Sequence, residues 1–177
     1  MKLDLKKGDR TVTRSFRISE SALIALQSES ERQNVSVNTL VNQLLLAYTN
    51  YDRFAKKQQT IKLSSATFRY ILQAASDESI IEAGRLAGRS VPETFILAKE
   101  GVLSLPTVLN YLKSLADYAN LYEFNEVVRD NRHTITLMHG LDSKGSLFLA
   151  HYLHGLFERI EKPPVFTITD HAIILEF

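Results

Sequence analysis

The apolar positions of the chain follow two periodicities, and the switches between them mark its elements. Thr11, Val12, Thr13, Ser15, Phe16 and Ile18 are mostly β-branched, aromatic or small, which predicts a short strand. Ser19 follows as a helix N-cap, its hydroxyl able to accept from a free first-turn amide. Ala22, Leu23 and Leu26 then recur at helical spacing, and Gln33-Asn34 ends that helix, Asn34 being suited to a left-handed turn. Ser36 caps a second helix, with Val37, Leu40, Val41, Leu44, Leu45, Tyr48 and Tyr51 along one face. It continues to Phe54 and into a charged junction that reaches Gln59 without Gly or Pro, predicting a semi-rigid linker.

From Thr60 the pattern changes. Thr60-Ile61-Lys62-Leu63 alternates as a short strand before the cap Ser64-Ser65. Residues 66–75 form a helix with Phe68, Ile71, Leu72 and Ala75 on one face. Asp77-Glu78 starts another, in which Gly84 and Gly88 are small enough to let a second segment approach closely. Pro92 suits the first turn of a third helix, reaching about Lys99 before Gly101, and Leu105-Pro106 opens a fourth that ends near Asn120. Leu121–Val128 and His133–His139 read as strands around the turn Arg129-Asp130-Asn131-Arg132. Asp142 or Ser143 caps an amphipathic helix running from Leu147 to Ile160, which Pro163-Pro164 ends. Val165–Ile168 and Ala172–Leu175 close the chain as a hairpin. The order predicts an α+β domain over 60–177, preceded by a module at 10–57 and a basic arm at 1–9.

A strand and two short helices, about 45 residues, cannot bury a sufficient core alone, and the strand has no partner within the stretch. Two copies pairing their strands across a two-fold axis would meet both needs. Thr13-Arg14-Ser15-Phe16-Arg17-Ile18, Ser19-Glu20-Ser21 and Val35-Ser36-Val37-Asn38-Thr39-Leu40-Val41 make this stretch resemble the ribbon-helix-helix repressors. That class reads the DNA major groove with a two-stranded β-ribbon. The resemblance covers roughly a quarter of the chain. It implies base contacts from Thr13, Ser15 and Arg17, which alternation along a strand also puts opposite the apolar Phe16 and Ile18. It implies a phosphate clamp at Ser36, Val37 and Asn38, where a helix start offers free amides and a positive dipole end. Lys7, Arg10 and Arg14 are expected to add further phosphate contacts. Arg14 departs from the family pattern, which usually has an apolar residue there. The order of the last third, with Gly84-Arg85-Leu86-Ala87-Gly88-Arg89, loosely resembles sensor domains of the vinyl-reductase type, without the cysteines often found in them.

Bulk numbers sharpen this only through their distribution. The chain has 177 residues, 45% hydrophobic and 23% charged, with a net charge of +1. Residues 1–57 hold ten Lys and Arg against six Asp and Glu, a net of +4; the remainder holds eleven against fourteen, a net of −3. A basic N-terminal part on an acidic body suits a DNA-reading module with an attached domain. No run of about 18 apolar residues is present, and MKLDLKKGD lacks the apolar core of a signal peptide. The absence of cysteine removes disulfides, thiolate metal sites and Cys nucleophiles. A cytoplasmic protein without membrane association is expected.

The remaining chemistry is sparse. There are five histidines, His133, His139, His151, His154 and His171. His151 and His154 stand i, i+3 on one helix, a workable ligand pair, yet the five match no recognisable ligand set, and no metal or other cofactor is expected. No G-x-S-x-G, P-loop or G-x-G-x-x-G occurs, so an enzyme is not expected. The resemblance, together with the charge distribution, implies a homodimeric, sequence-specific DNA-binding transcriptional regulator, a repressor. Its partners would be a double-stranded operator, itself and a small-molecule effector, with the C-terminal domain sensing the effector or oligomerising. The alternatives are an antitoxin of a toxin–antitoxin pair, argued against by the apolar-rich globular tail, and a metal-responsive regulator.

Overall fold

The computed structural model describes residues 11–130, 132–160 and 163–177. The chain divides into two compact units, Met1–Arg53 and Phe54–Phe177.

The N-terminal unit holds α1 (Glu20–Arg32) and α2 (Val37–Ala47), both started by serine. Ser19 Oγ accepts from the amide of Ala22 at 3.3 Å, and Ser36 Oγ from that of Thr39 at 3.0 Å. Asn34 takes the left-handed conformation (φ 52°) between them. A π-helical turn, Tyr48–Asp52, follows α2 and leads into α3 (Arg53–Lys57). There the Thr49 hydroxyl donates back to the carbonyls of Leu45 (2.9 Å) and Leu46 (3.2 Å).

The expected N-terminal ribbon is not what the chain forms. Residues 11–19 carry no regular secondary structure, and the described strands occur only from Glu123 onward. The fold is predominantly helical, with one small antiparallel sheet at its C-terminal end. A strand requires a hydrogen-bonding ladder, and β-branched composition does not supply one. The same reason removes the strand expected at Thr60–Leu63, where Ile61 is 79% exposed and no ladder partner lies among the described residues.

The C-terminal unit takes in α3 from Phe54 onward and continues with α4 (Ser65–Ala74), α5 (Asp77–Glu100) and α6 (Leu105–Ala119), then β1 (Glu123–Arg129) and β2 (Arg132–Met138). It ends with α7 (Asp142–Phe157), β3 (Val165–Ile168) and β4 (Ala172–Glu176). The sheet order is β1-β2-β4-β3, antiparallel throughout. Strand alternation sends Ile135, Leu137, Ile173 and Leu175 inward, all fully buried, with Leu149, Leu153, Leu156 and Phe157 of α7 also in the core. Where two helices were expected, α5 runs unbroken through Pro92. Proline removes one helical hydrogen bond and costs about 3 kcal/mol in a helix interior. Burial of Pro92, Phe95 and Ile96 on the same helix offsets that cost.

Gly84 and Gly88 of α5 do admit a second segment, namely α7. A Cβ on Gly88 would stand 2.0 Å from the Tyr152 carbonyl oxygen, and one on Gly84 would stand 2.7 Å from that of Phe148. Gly155 reciprocates: its Cβ would meet the Arg85 carbonyl oxygen at 2.6 Å. Around this crossing Tyr111 and Tyr152 share a buried hydroxyl–hydroxyl bond of 2.6 Å, and Glu158 pairs with Arg85 (3.2 Å) and Arg89 (2.6 Å).

Candidate nucleic-acid interface

Thr13, Ser15 and Arg17 lie on the segment preceding α1, and every residue from 11 to 25 is exposed. Arg14 is exposed beside them, so the inward position that strand alternation would give it does not arise. Neither the Arg14 nor the Arg17 guanidinium has an ion pair or hydrogen bond among the described residues. Both remain available to an anion or a base edge. Phe16 (75% exposed) and Ile18 interleave with these polar groups and are bare rather than packed on the helices.

The second group sits at the start of α2. Ser36 Oγ, bonded to the Thr39 amide, also shares a 2.8 Å bond with Thr39 Oγ1. The first helical hydrogen bond runs from the Leu40 amide to the Ser36 carbonyl (3.0 Å), leaving the Val37 and Asn38 amides without an intrahelical acceptor. Among the described residues no hydrogen bond or ion pair joins this group to the Thr13–Arg17 segment. Lys7 and Arg10 lie outside the described residues.

The connection between α1 and α2 is fixed locally. Glu29 accepts from Arg32 (2.6 Å) and from Gln33, and this pairing with Arg32 holds its carboxyl at about 2. The Val35 amide returns to the Ser30 carbonyl at 3.0 Å, and Ser30 is buried with its hydroxyl on the Gln27 carbonyl. Of the apolar residues in α1 and α2 only Leu40 is buried; Leu23, Ile24, Leu44 and Leu45 are exposed.

The histidines build no metal centre: among the described residues no group of three His, Asp or Glu is placed to hold an ion. The His151 and His154 ring centroids are 6.0 Å apart, and the His154 ring lies tilted against Phe166 at 4.0 Å. His139, weighed with the other four as a metal ligand, is engaged elsewhere. It is buried; its Nδ1 accepts from the Leu141 amide (3.2 Å), so Nε2 carries the proton and donates to Ser146 Oγ (3.0 Å). This tautomer is the reverse of the one a general base facing serine requires, and Ser146 is 2% exposed, so the pair is structural.

Burial, with His171 close by, lowers the His139 pKa from the ordinary 6.5, against a smaller opposing pull from Asp142. Stability is therefore full above 6.5 and is lost as the pH falls from there toward the lowered folded value, because the unfolded chain takes up a proton that the folded chain refuses. His151 shifts the same way through burial, His154 and Arg85. Melting temperature should drop as the pH falls below 6.5, and His139→Gln should flatten that slope more than His151→Gln. Parallel slopes in wild type and His139→Gln would remove His139 as the cause.

No family model, no curated protein and no solved structure matches the chain. No helix among the described residues is long and apolar enough to cross a membrane.

Proposed function

We propose that the chain is a homodimeric, sequence-specific DNA-binding regulator of transcription. In this reading Thr13, Ser15 and Arg17 meet base edges. Arg14 and the Ser36-Val37-Asn38 helix start meet phosphates, and the C-terminal unit senses a small-molecule effector or oligomerises. One observation carries it: hydroxyls and unengaged guanidinia share an exposed segment with bare Phe16 and Ile18, beside two helices that bury a single apolar side chain. Such a unit cannot offset its own ordering entropy, and a second copy that covers Leu44, Leu45 and Phe16 can. The net +4 of residues 1–57 supports the same reading, as do the two serine-capped helices on which the rest of the resemblance to ribbon-helix-helix repressors stands.

Selection of duplexes from a random library, followed by anisotropy titration at several salt concentrations, tests it. Arg17→Ala should cost about 1–3 kcal/mol on the selected site and relax its sequence preference. Leu44→Asp is the sharper variant. Leu44 is 53% exposed in the single chain, so an isolated chain should tolerate the change within about 0.5 kcal/mol. If that face meets a second copy, the buried carboxylate abolishes DNA binding. Failure to select any sequence, or a Leu44→Asp protein that binds as wild type does, would defeat the proposal.

A further inference from the structure

The sheet has two open edges that differ in character. β3 is four residues long and follows Pro163-Pro164, both usual ways of blunting an edge. β1 is seven residues long, contains neither Pro nor Gly and, among the described residues, pairs only with β2. Its residues Asn125–Arg129 are exposed, Val127 and Val128 by half or more.

The order of residues along β1 is self-complementary. An antiparallel pair of β1 strands related by a two-fold axis through Glu126 sets Glu123 opposite Arg129, Phe124 opposite Val128 and Asn125 opposite Val127, each twice. Opposite charges and an aromatic–β-branched pair are the combinations that stabilise neighbouring strands. Shifting the axis to Asn125 or Val127 loses the charge pairs. The one unfavourable contact is Glu126 against its own copy. There the carboxylate is already engaged by His133 Nδ1 at 2.8 Å, on β2 and away from the open edge.

We infer that a second copy of this chain docks edge to edge on β1, joining two four-stranded sheets into one of eight strands. This names a surface for the oligomerising role proposed above, and it uses no residue of the DNA-reading unit. The pairing is small, as a transient or reinforcing interface is.

The chain has no cysteine, so one introduced thiol reports one contact. Opposing residues in an antiparallel pair lie about 4.5–5.5 Å apart at Cα, within disulfide reach, whereas positions four residues out of register stand about 13 Å apart. Under mild oxidation full-length Glu126→Cys should therefore form a disulfide-linked dimer and Val128→Cys should not. Adding Glu123→Arg to Glu126→Cys should weaken the association about tenfold, and further adding Arg129→Glu should restore the cross-link by re-forming the charge pairs in reverse. Repeating the series with Leu44→Asp separates this pairing from any dimer made by the N-terminal unit. Absence of the Glu126→Cys cross-link, equal cross-linking at Val128, or no recovery in the charge-swapped variant would each overturn the inference. None of these readouts depends on DNA binding.

Discussion

Gly88→Leu is expected to leave the C-terminal unit unable to fold. The Cβ of any residue there falls 2.0 Å from the Tyr152 carbonyl oxygen, with that residue's carbonyl carbon at 2.7 Å and Cα at 2.9 Å. These are backbone atoms of a buried helix and cannot swing aside as a flexible side chain would. α5 and α7 must separate, which opens the crossing where Gly84, Gly88 and Gly155 hold the two backbones together. Even Gly88→Ala should cost more than about 3 kcal/mol, the upper end of ordinary overpacking. Gly84→Ala and Gly155→Ala should cost less, their closest contacts being 2.7 and 2.6 Å. Gly101→Ala is the calibrating case: nothing lies within 4 Å, and only its left-handed backbone (φ 74°) opposes the change, at about 1 kcal/mol. Urea unfolding followed by circular dichroism would give the order. A Gly88→Ala protein as stable as Gly101→Ala would mean that the helices do not cross this closely.

That crossing is legible in the sequence, because small residues four apart on one face of an amphipathic helix have few uses besides close approach. So were both serine caps, the turn at Asn34 and the two C-terminal hairpins, where local chemistry and tertiary demand agree. Sequence pattern and structure part where a distant partner decides. Thr11–Ile18 and Thr60–Leu63 have strand composition, yet a ladder needs a neighbour that composition cannot supply. Pro92 has the local signature of a helix start, yet packing carries α5 straight through it. For the candidate interface, the sequence supplied residue types at Thr13, Ser15 and Arg17. That Phe16 and Ile18 stand bare beside them is a matter of what the rest of the chain covers. His139 carried no signal, since its role depends on the Leu141 amide and on Ser146 in the next helix.

The start of the C-terminal unit gives the second large effect. A charged junction suggests that a fragment beginning at Thr60 would be sufficient, but Phe54 and Ala55 of α3 are 6% and 7% exposed and belong to this unit. The Phe54 ring meets Phe95 of α5 at 5.7 Å, and Phe95 meets Tyr111 of α6 at 5.3 Å. Tyr111 in turn holds the Tyr152 hydroxyl of α7, so Phe54 heads a chain of rings crossing three helices. The Gln58 side chain adds a 3.2 Å bond to the Val91 carbonyl, one residue before Pro92. Removing a buried phenylalanine costs about 3–5 kcal/mol, a large share of the stability of a domain this size. Fragment 54–177 should therefore melt cooperatively, whereas fragment 60–177, without Phe54, should be strongly destabilised or fail to fold. Phe54→Ala in the longer fragment should reproduce most of the loss, and Lys57→Ala, on the exposed side of α3, little of it. Equal melting temperatures for the two fragments would place Phe54 outside the C-terminal core.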